Sequence, residues 1–331
     1  MKSIATRALR VGHTATVVAL AGMCAVAAAD EMVTLKQRYA PGEYVMTVTT
    51  TWDQTAEVNE APQPAQRMSK TIVADLTVGA PQESGEREIV MTFSRIAEEQ
   101  RVGLETATYD SEGPAEIQSP GLARIYDPML DAEVRIVLDV EGKARSVKGL
   151  NRLWETIAEQ NRQIADLALQ MKAIMGDEMI AAIFSEGVRL LPSKPVKVGD
   201  KWQAELEVVV PPLGKIPYRA DMKMTSIKAS GEDKLAVFDI RGEAKIGEPT
   251  EALMLGIKMI VTAMDLKQKG NIHYRVGEGY PAATSLEQTA DIEATVNRPS
   301  DQAVPMKIHQ RIVAATTIVP KPAATQPATQ P

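Results

Sequence analysis

Val134-Arg135-Ile136-Val137-Leu138-Asp139-Val140-Glu141-Gly142-Lys143-Ala144-Arg145-Ser146-Val147-Lys148-Gly149-Leu150-Asn151-Arg152-Leu153-Trp154-Glu155-Thr156-Ile157 changes its hydrophobic period in mid-course. Val134, Ile136, Leu138 and Val140 alternate with other residues, the two-residue repeat of a strand with one buried face. Glu141-Gly142 interrupts the run as a turn does. From Leu150 the spacing becomes helical, through Leu153, Trp154, Ile157, Asn161, Ile164, Leu167, Ala168, Met171, Ile174 and Met175. Gly176 ends that helix, and Asp177 stands where it can cap a second one with Met179, Ile180, Ile183 and Phe184 on its apolar face. Gly187 and Pro192 stop it. The pattern predicts a helical pair, 150–175 and 177–187, within the span 149–190.

Strand patterning flanks the pair on both sides. Before it, Tyr44, Met46, Val48 and Trp52 share one side of a strand, followed by Ile72, Ala74, Leu76 and Val78, then Ile89, Met91 and Phe93. Pro41-Gly42 and Gly79-Ala80-Pro81 are the turns, 59–68 reads as a loop, and 112–128 is too rich in Gly and Pro to join the sheet. After it, 202–210, 218–228, 234–244, 271–276, 282–296 and 306–319 read as strands. A helical pair in mid-sequence must bury its stripe, and the sheet on either side is the partner available. The fold class expected is α+β: a large curved antiparallel sheet from two halves, 33–148 and 194–319, with the central helical pair packed on or inside it. Together they form one domain over 30–319.

The two ends read differently. Lys2, Arg7 and Arg10 open the chain, an apolar core runs over 17–27, and Ala27-Ala28-Ala29 offers small residues for a peptidase. Residues 1–29 are read as a secretory signal cleaved after Ala29, so the working protein is expected in the periplasm or outside the cell, without a transmembrane helix. Met23 before Cys24 is a poor fit to a lipoprotein signal. At the other end the unit Ala-Thr-Gln-Pro repeats, and 320–331 reads as a disordered tail. Without the leader, 34 basic residues face 43 acidic ones, a net charge of −9 that argues against nucleic acid as a partner. The single cysteine leaves with the leader, and a core of about 300 residues can do without disulfides.

Leu191-Pro192-Ser193-Lys194-Pro195-Val196-Lys197-Val198-Gly199-Asp200-Lys201-Trp202 resembles the signature of a family of exported bacterial proteins, a domain of unknown function with a proline-rich lead into V-x-x-G-D-x-W. The stretch 139–149 resembles the turn and strand before that family's helices, and Gly279-Tyr280-Pro281 a later hairpin. The likeness covers roughly 130–290. It implies export and a sheet-plus-helix domain and supplies no catalytic residues. The arrangement is also similar to that of periplasmic lipoprotein carriers, whose curved sheet wraps an apolar cavity plugged by helices.

Catalytic and cofactor motifs are scarce. Neither His273 nor His309 sits in a metal-binding frame, and a calcium-loop register at Asp139 would place Leu150 where a bidentate Glu belongs. No nucleophile elbow and no phosphate-cradling glycine motif is present, so no catalytic residue, metal or cofactor is expected. Gly199, Asp200 and Trp202 are explained as a turn and the anchor of the next strand.

Fourteen of the 16 methionines lie beyond the leader, against three phenylalanines. Methionine adapts to varied apolar neighbours, and Met171 and Met175, with Trp154 and Phe184, are the candidate wall of an apolar ligand site; plain core filling is the more ordinary use of such residues. The expectation is an exported, non-catalytic protein that binds or carries an apolar molecule, a lipid or a lipoprotein acyl chain. The alternative is a structural or protein-interaction module of the cell envelope, and third comes an exported hydrolase using a carboxylate pair.

Overall fold

Alternating runs become strands along most of the chain in the computed structural model, which describes residues 31–210, 214–246, 248–254, 257–297 and 303–322. The expected leader and most of the expected tail lie outside the described residues. The first half holds β1 (Gly42–Val58), β2 (Ala61–Pro62), β3 (Gln66–Val78), β4 (Arg87–Val102), β5 (Glu105–Asp110), helix α1 (Pro120–Tyr126), β6 (Glu133–Leu138) and β7 (Ala144–Lys148). Three helices follow, α2 (Leu150–Gln160), α3 (Ala165–Met175) and α4 (Asp177–Arg189). The second half adds β8 (Lys201–Val210), β9 (Gly214–Ser230), β10 (Asp233–Ile246), β11 (Thr250–Met254), β12 (Ile257–Arg275), β13 (Tyr280–Asn297) and β14 (Ala303–Pro320).

Among the described residues every strand joins one antiparallel sheet, ordered β7-β6-β4-β3-β1-β14-β13-β12-β10-β9-β8, with β2, β5 and β11 paired alongside β1, β4 and β12. The two halves meet where β1 pairs with β14 from Tyr44 opposite Pro320 to Val58 opposite Met306. Pro320 therefore closes a strand and does not begin the tail, and the Lys321 amide donates to the Glu43 carbonyl at 2.8 Å. A proline at a strand's last position forfeits only one N–H.

The sheet curves without closing. Eleven strands flat would hold the edges β7 and β8 about 48 Å apart at ~4.8 Å per step. Yet α4, 13 residues and so about 20 Å long, packs against both edges. Arg189 at its end donates to the Glu205 carbonyl of β8 at 2.7 Å. The face turned inward is the apolar one. Across the register Val48 stands beside Ile72 and Thr316, and Trp52 beside Met68 and Ile312. The outer face carries charges such as Glu287, paired with Lys269 at 3.0 Å and Arg311 at 2.9 Å.

Two large packed clusters fill opposite parts of the inner face. The first joins Ala74, Leu76, Ile89, Phe93, Val134 and Ile136 to Leu150, Leu153, Trp154 and Ile157 of α2. The second joins Met222, Met224, Phe238 and Ile240 to Val33 and Leu35. Residues 31–40 form a strap between them, hydrogen-bonding to Val196 and to Gly279. Gln37 of this strap donates to the Gly142 carbonyl at 3.0 Å. Gly142 has φ +87°, and a side chain there would collide with Gln37. Gly242 is bare for a second reason: the ring of Tyr218 lies over it to reach Gln268.

Three short helices replace the expected central pair. The run 150–175 breaks after Asn161, whose backbone (φ −139°, ψ 86°) is not helical, and α3 folds back on α2. Asparagine competes with helical hydrogen bonding through its side chain, and the polar run Asn161-Arg162-Gln163 has nothing to bury. Lys172 and Glu155 pair across the fold-back at 2.7 Å. The Ile174 side chain lies outside the described residues. Asp177 does not cap α4: its carboxylate accepts the Leu150 amide of α2 at 2.9 Å, and Asn151 Oδ1 accepts the Asp177 amide at 3.1 Å. The expected loop 59–68 contains β2 and the start of β3, Val140 is exposed in the β6–β7 turn, and β12 is far longer than 271–276. Among the described residues no helix is long and apolar enough to cross a membrane.

Candidate binding face

The expected ligand wall divides on folding. Trp154 is buried in the first cluster, where its indole N–H donates to the Met175 carbonyl at 2.9 Å. Met171 and Phe184 are half-buried against the same cluster, and the Phe184 ring lies 6.1 Å from Tyr39. The Met175 side chain is exposed. Gly199 has φ +94°, the Asp200 carboxylate accepts the Lys197 amide at 2.9 Å, and the Trp202 indole donates to the Leu190 carbonyl at 2.8 Å. These bonds hold the turn before β8 against the end of α4. An open cleft of about 450 Å³ adjoins it, lined by Arg189, Lys194, Asp200 and Trp202 among others. In the β6–β7 turn one Asp139 oxygen accepts the amides of Glu141 and Lys143, both at 2.9 Å. Among the described residues no three His, Cys, Asp or Glu side chains gather where they could hold a metal ion.

Between the two large clusters the inner face is left partly uncovered. Val48 and Trp52 on β1, Met68 on β3, and Ile308 and Ile312 on β14 are half-buried, and none belongs to a packed cluster. The register sets them side by side: Trp52 opposite Met68 and Ile312, and Ile308 opposite Ala56. Glutamines border them. Gln310 donates to Gln54 at 2.7 Å, and Gln288 stands opposite Ile312 and Gln268. From β3 to β13 the patch crosses three strand steps, about 14 Å. Apolar groups bordered by amide side chains are the lining expected of a site for a molecule with a long apolar part.

One charged constellation sits on this same face. Lys70 of β3 lies opposite Thr50 and Glu98, with its ammonium 3.4 Å from a Glu98 oxygen, 2.9 Å from the Tyr126 hydroxyl and 4.5 Å from the centre of that ring. The Tyr126 hydroxyl donates to one Glu98 oxygen and the Gln100 amide to the other, each at 2.5 Å. Burial, then the hydrogen bond to Glu98, pushes the Tyr126 phenol far above its ordinary range. Tyr109, tilted against Tyr126 at 5.3 Å, donates to Asp127 at 2.7 Å; burial and then that bond raise it too. A buried carboxylate with both oxygens satisfied is held in place by these donors.

Sequence reading placed Val48-side residues on a strand face without making them a site, and it missed Lys70 and Glu98. Lys70 had a signal: it falls in the apolar phase of Ile72, Ala74, Leu76 and Val78. Glu98 had none, because an irregularity at Ser94 shifts the phase of β4 after Phe93.

Residues 84–280 match the model of a family of unknown function, DUF6263. That span includes both the 139–149 stretch and the run into Trp202. No curated protein matches the chain. Among solved structures, lipovitellin is similar at 10% identity and a TM-score of 0.39, over 88% of this chain. The chain spans only 27% of the lipovitellin chain. A dynemicin-biosynthesis protein of Micromonospora chersina (7% identity, 85% of this chain and 83% of that one) and an outer membrane channel of Pseudomonas putida F1 (9%, 85% and 98%) each have a TM-score of 0.19.

Proposed function

The chain belongs to DUF6263, a family of unknown function, and from that footing we propose that it is a non-catalytic binding protein that works after export. Its ligand is an apolar molecule, a lipid or a lipoprotein acyl chain, held on the inner face of β1, β3 and β14. One observation carries this reading: Val48, Trp52, Met68, Ile308 and Ile312 form a half-buried apolar patch outside the packed clusters. Contiguous apolar surface left uncovered in a folded protein marks a place where something binds. Met171 and Phe184, which pack on the first cluster, are where a longer chain would meet the helices. Native mass spectrometry of the protein purified from its own envelope tests the reading. A co-purifying lipid, removed by organic extraction, is expected. A ligand-free mass under conditions that preserve weak complexes would favour an envelope interaction module instead.

A further inference from the structure

Lys70 gives the inner face a polar end. Its side chain is 20% exposed, whereas that of Glu98, its ion partner, is 1% exposed with both oxygens occupied by Tyr126 and Gln100. A molecule on the patch therefore meets the cation and not the anion behind it. The ammonium has three protons, and the Tyr126 hydroxyl takes one at 2.9 Å. Its neighbours on β3 are Met68 and Ile72, and the next row of β1 carries Trp52, so the cation stands at the border of apolar groups. An anion seated on it at ~2.8 Å would lie about 6 Å from Glu98, and at equal dielectric attraction exceeds repulsion roughly two to one.

We propose, resting on the binding reading above, that the ligand is an acyl chain ending in a carboxylate, with the carboxylate on Lys70 and the chain across Trp52, Met68 and Ile312. A single ammonium suits a monoanion; phosphate recognition usually recruits arginine forks or several donors. Titration with dodecanoate and with dodecanol, followed by calorimetry at pH 8, tests the assignment. Wild-type protein binds the acid about tenfold more tightly than the alcohol, the factor expected of a charge-assisted hydrogen bond in place of a neutral one. Lys70→Met loses the preference for the acid or reverses it, because Glu98 remains, and Lys70→Arg keeps the preference. The double variant Lys70→Met with Glu98→Gln removes both charges together and also loses the preference, so the result can be read even if the single variant folds poorly. Equal binding of acid and alcohol by wild-type protein, or a preference that survives in the double variant, overturns the role of Lys70 while leaving the apolar site standing. Binding of neither probe overturns the site itself.

Discussion

All seven tyrosines of the chain, Tyr39, Tyr44, Tyr109, Tyr126, Tyr218, Tyr274 and Tyr280, have phenols pushed up, and burial is the leading cause for each. Tyr218 stands at about 12. A phenol whose pKa is higher in the folded state stabilises fully below its unfolded value of 10.0 and loses that contribution as pH rises through the folded value. Spectrophotometric titration should therefore show almost no phenolate in the native protein at pH 10 and about half ionisation in urea. Stability measured by denaturant should fall as the pH is taken above 10. A native sample whose phenols ionise near 10 would mean that they are open to solvent. At this scale the sequence was partly legible. Lys70 stood out as a charge in the apolar phase of its strand, but its partner Tyr126 lies 56 residues away and no local pattern joins them.

The helical segment shows what periodicity conveys and what it omits. Leu150, Leu153, Trp154 and Ile157 announced α2, and all four are buried. The fold-back into α3 was invisible because Ile164, Leu167 and Ala168 continue the helical spacing across the break. The start of α2 depends on a residue 27 positions later, since Asp177 accepts its first amide. Asn151 returns a bond to the Asp177 amide, so the starts of α2 and α4 cap each other. Asp177→Ala should lower stability by about 1–2 kcal/mol, as the loss of a helix cap does, and the urea midpoint would report it. An unchanged midpoint would show that water replaces the carboxylate at no cost. Among the strands, the part of β12 before residue 271 escaped notice for a related reason. It carries an irregularity at Thr262 and the polar run Lys267-Gln268-Lys269-Gly270, which together break the alternation.

At the scale of the molecule, one long sheet bends until a single helix, α4, packs on both of its edges. Curvature turns the apolar face inward, and the helices and the 31–40 strap fill its two flanks. The middle strands are left with an apolar patch that only half excludes solvent. Sheet content and inward phase were legible in alternation. The uncovered middle was not, because coverage depends on where distant elements come to rest. Trp52 lies in that middle, while Trp154 is on the buried side of α2 and Trp202 faces the end of α4. The most direct measurement uses a variant with Trp154→Phe and Trp202→Phe, whose tryptophan fluorescence comes from Trp52 alone, titrated with a dodecanoate brominated on its chain. Binding at this face predicts saturable quenching of Trp52 with a native circular dichroism spectrum. An emission that stays unquenched through the titration, in a variant that is folded, would contradict the site.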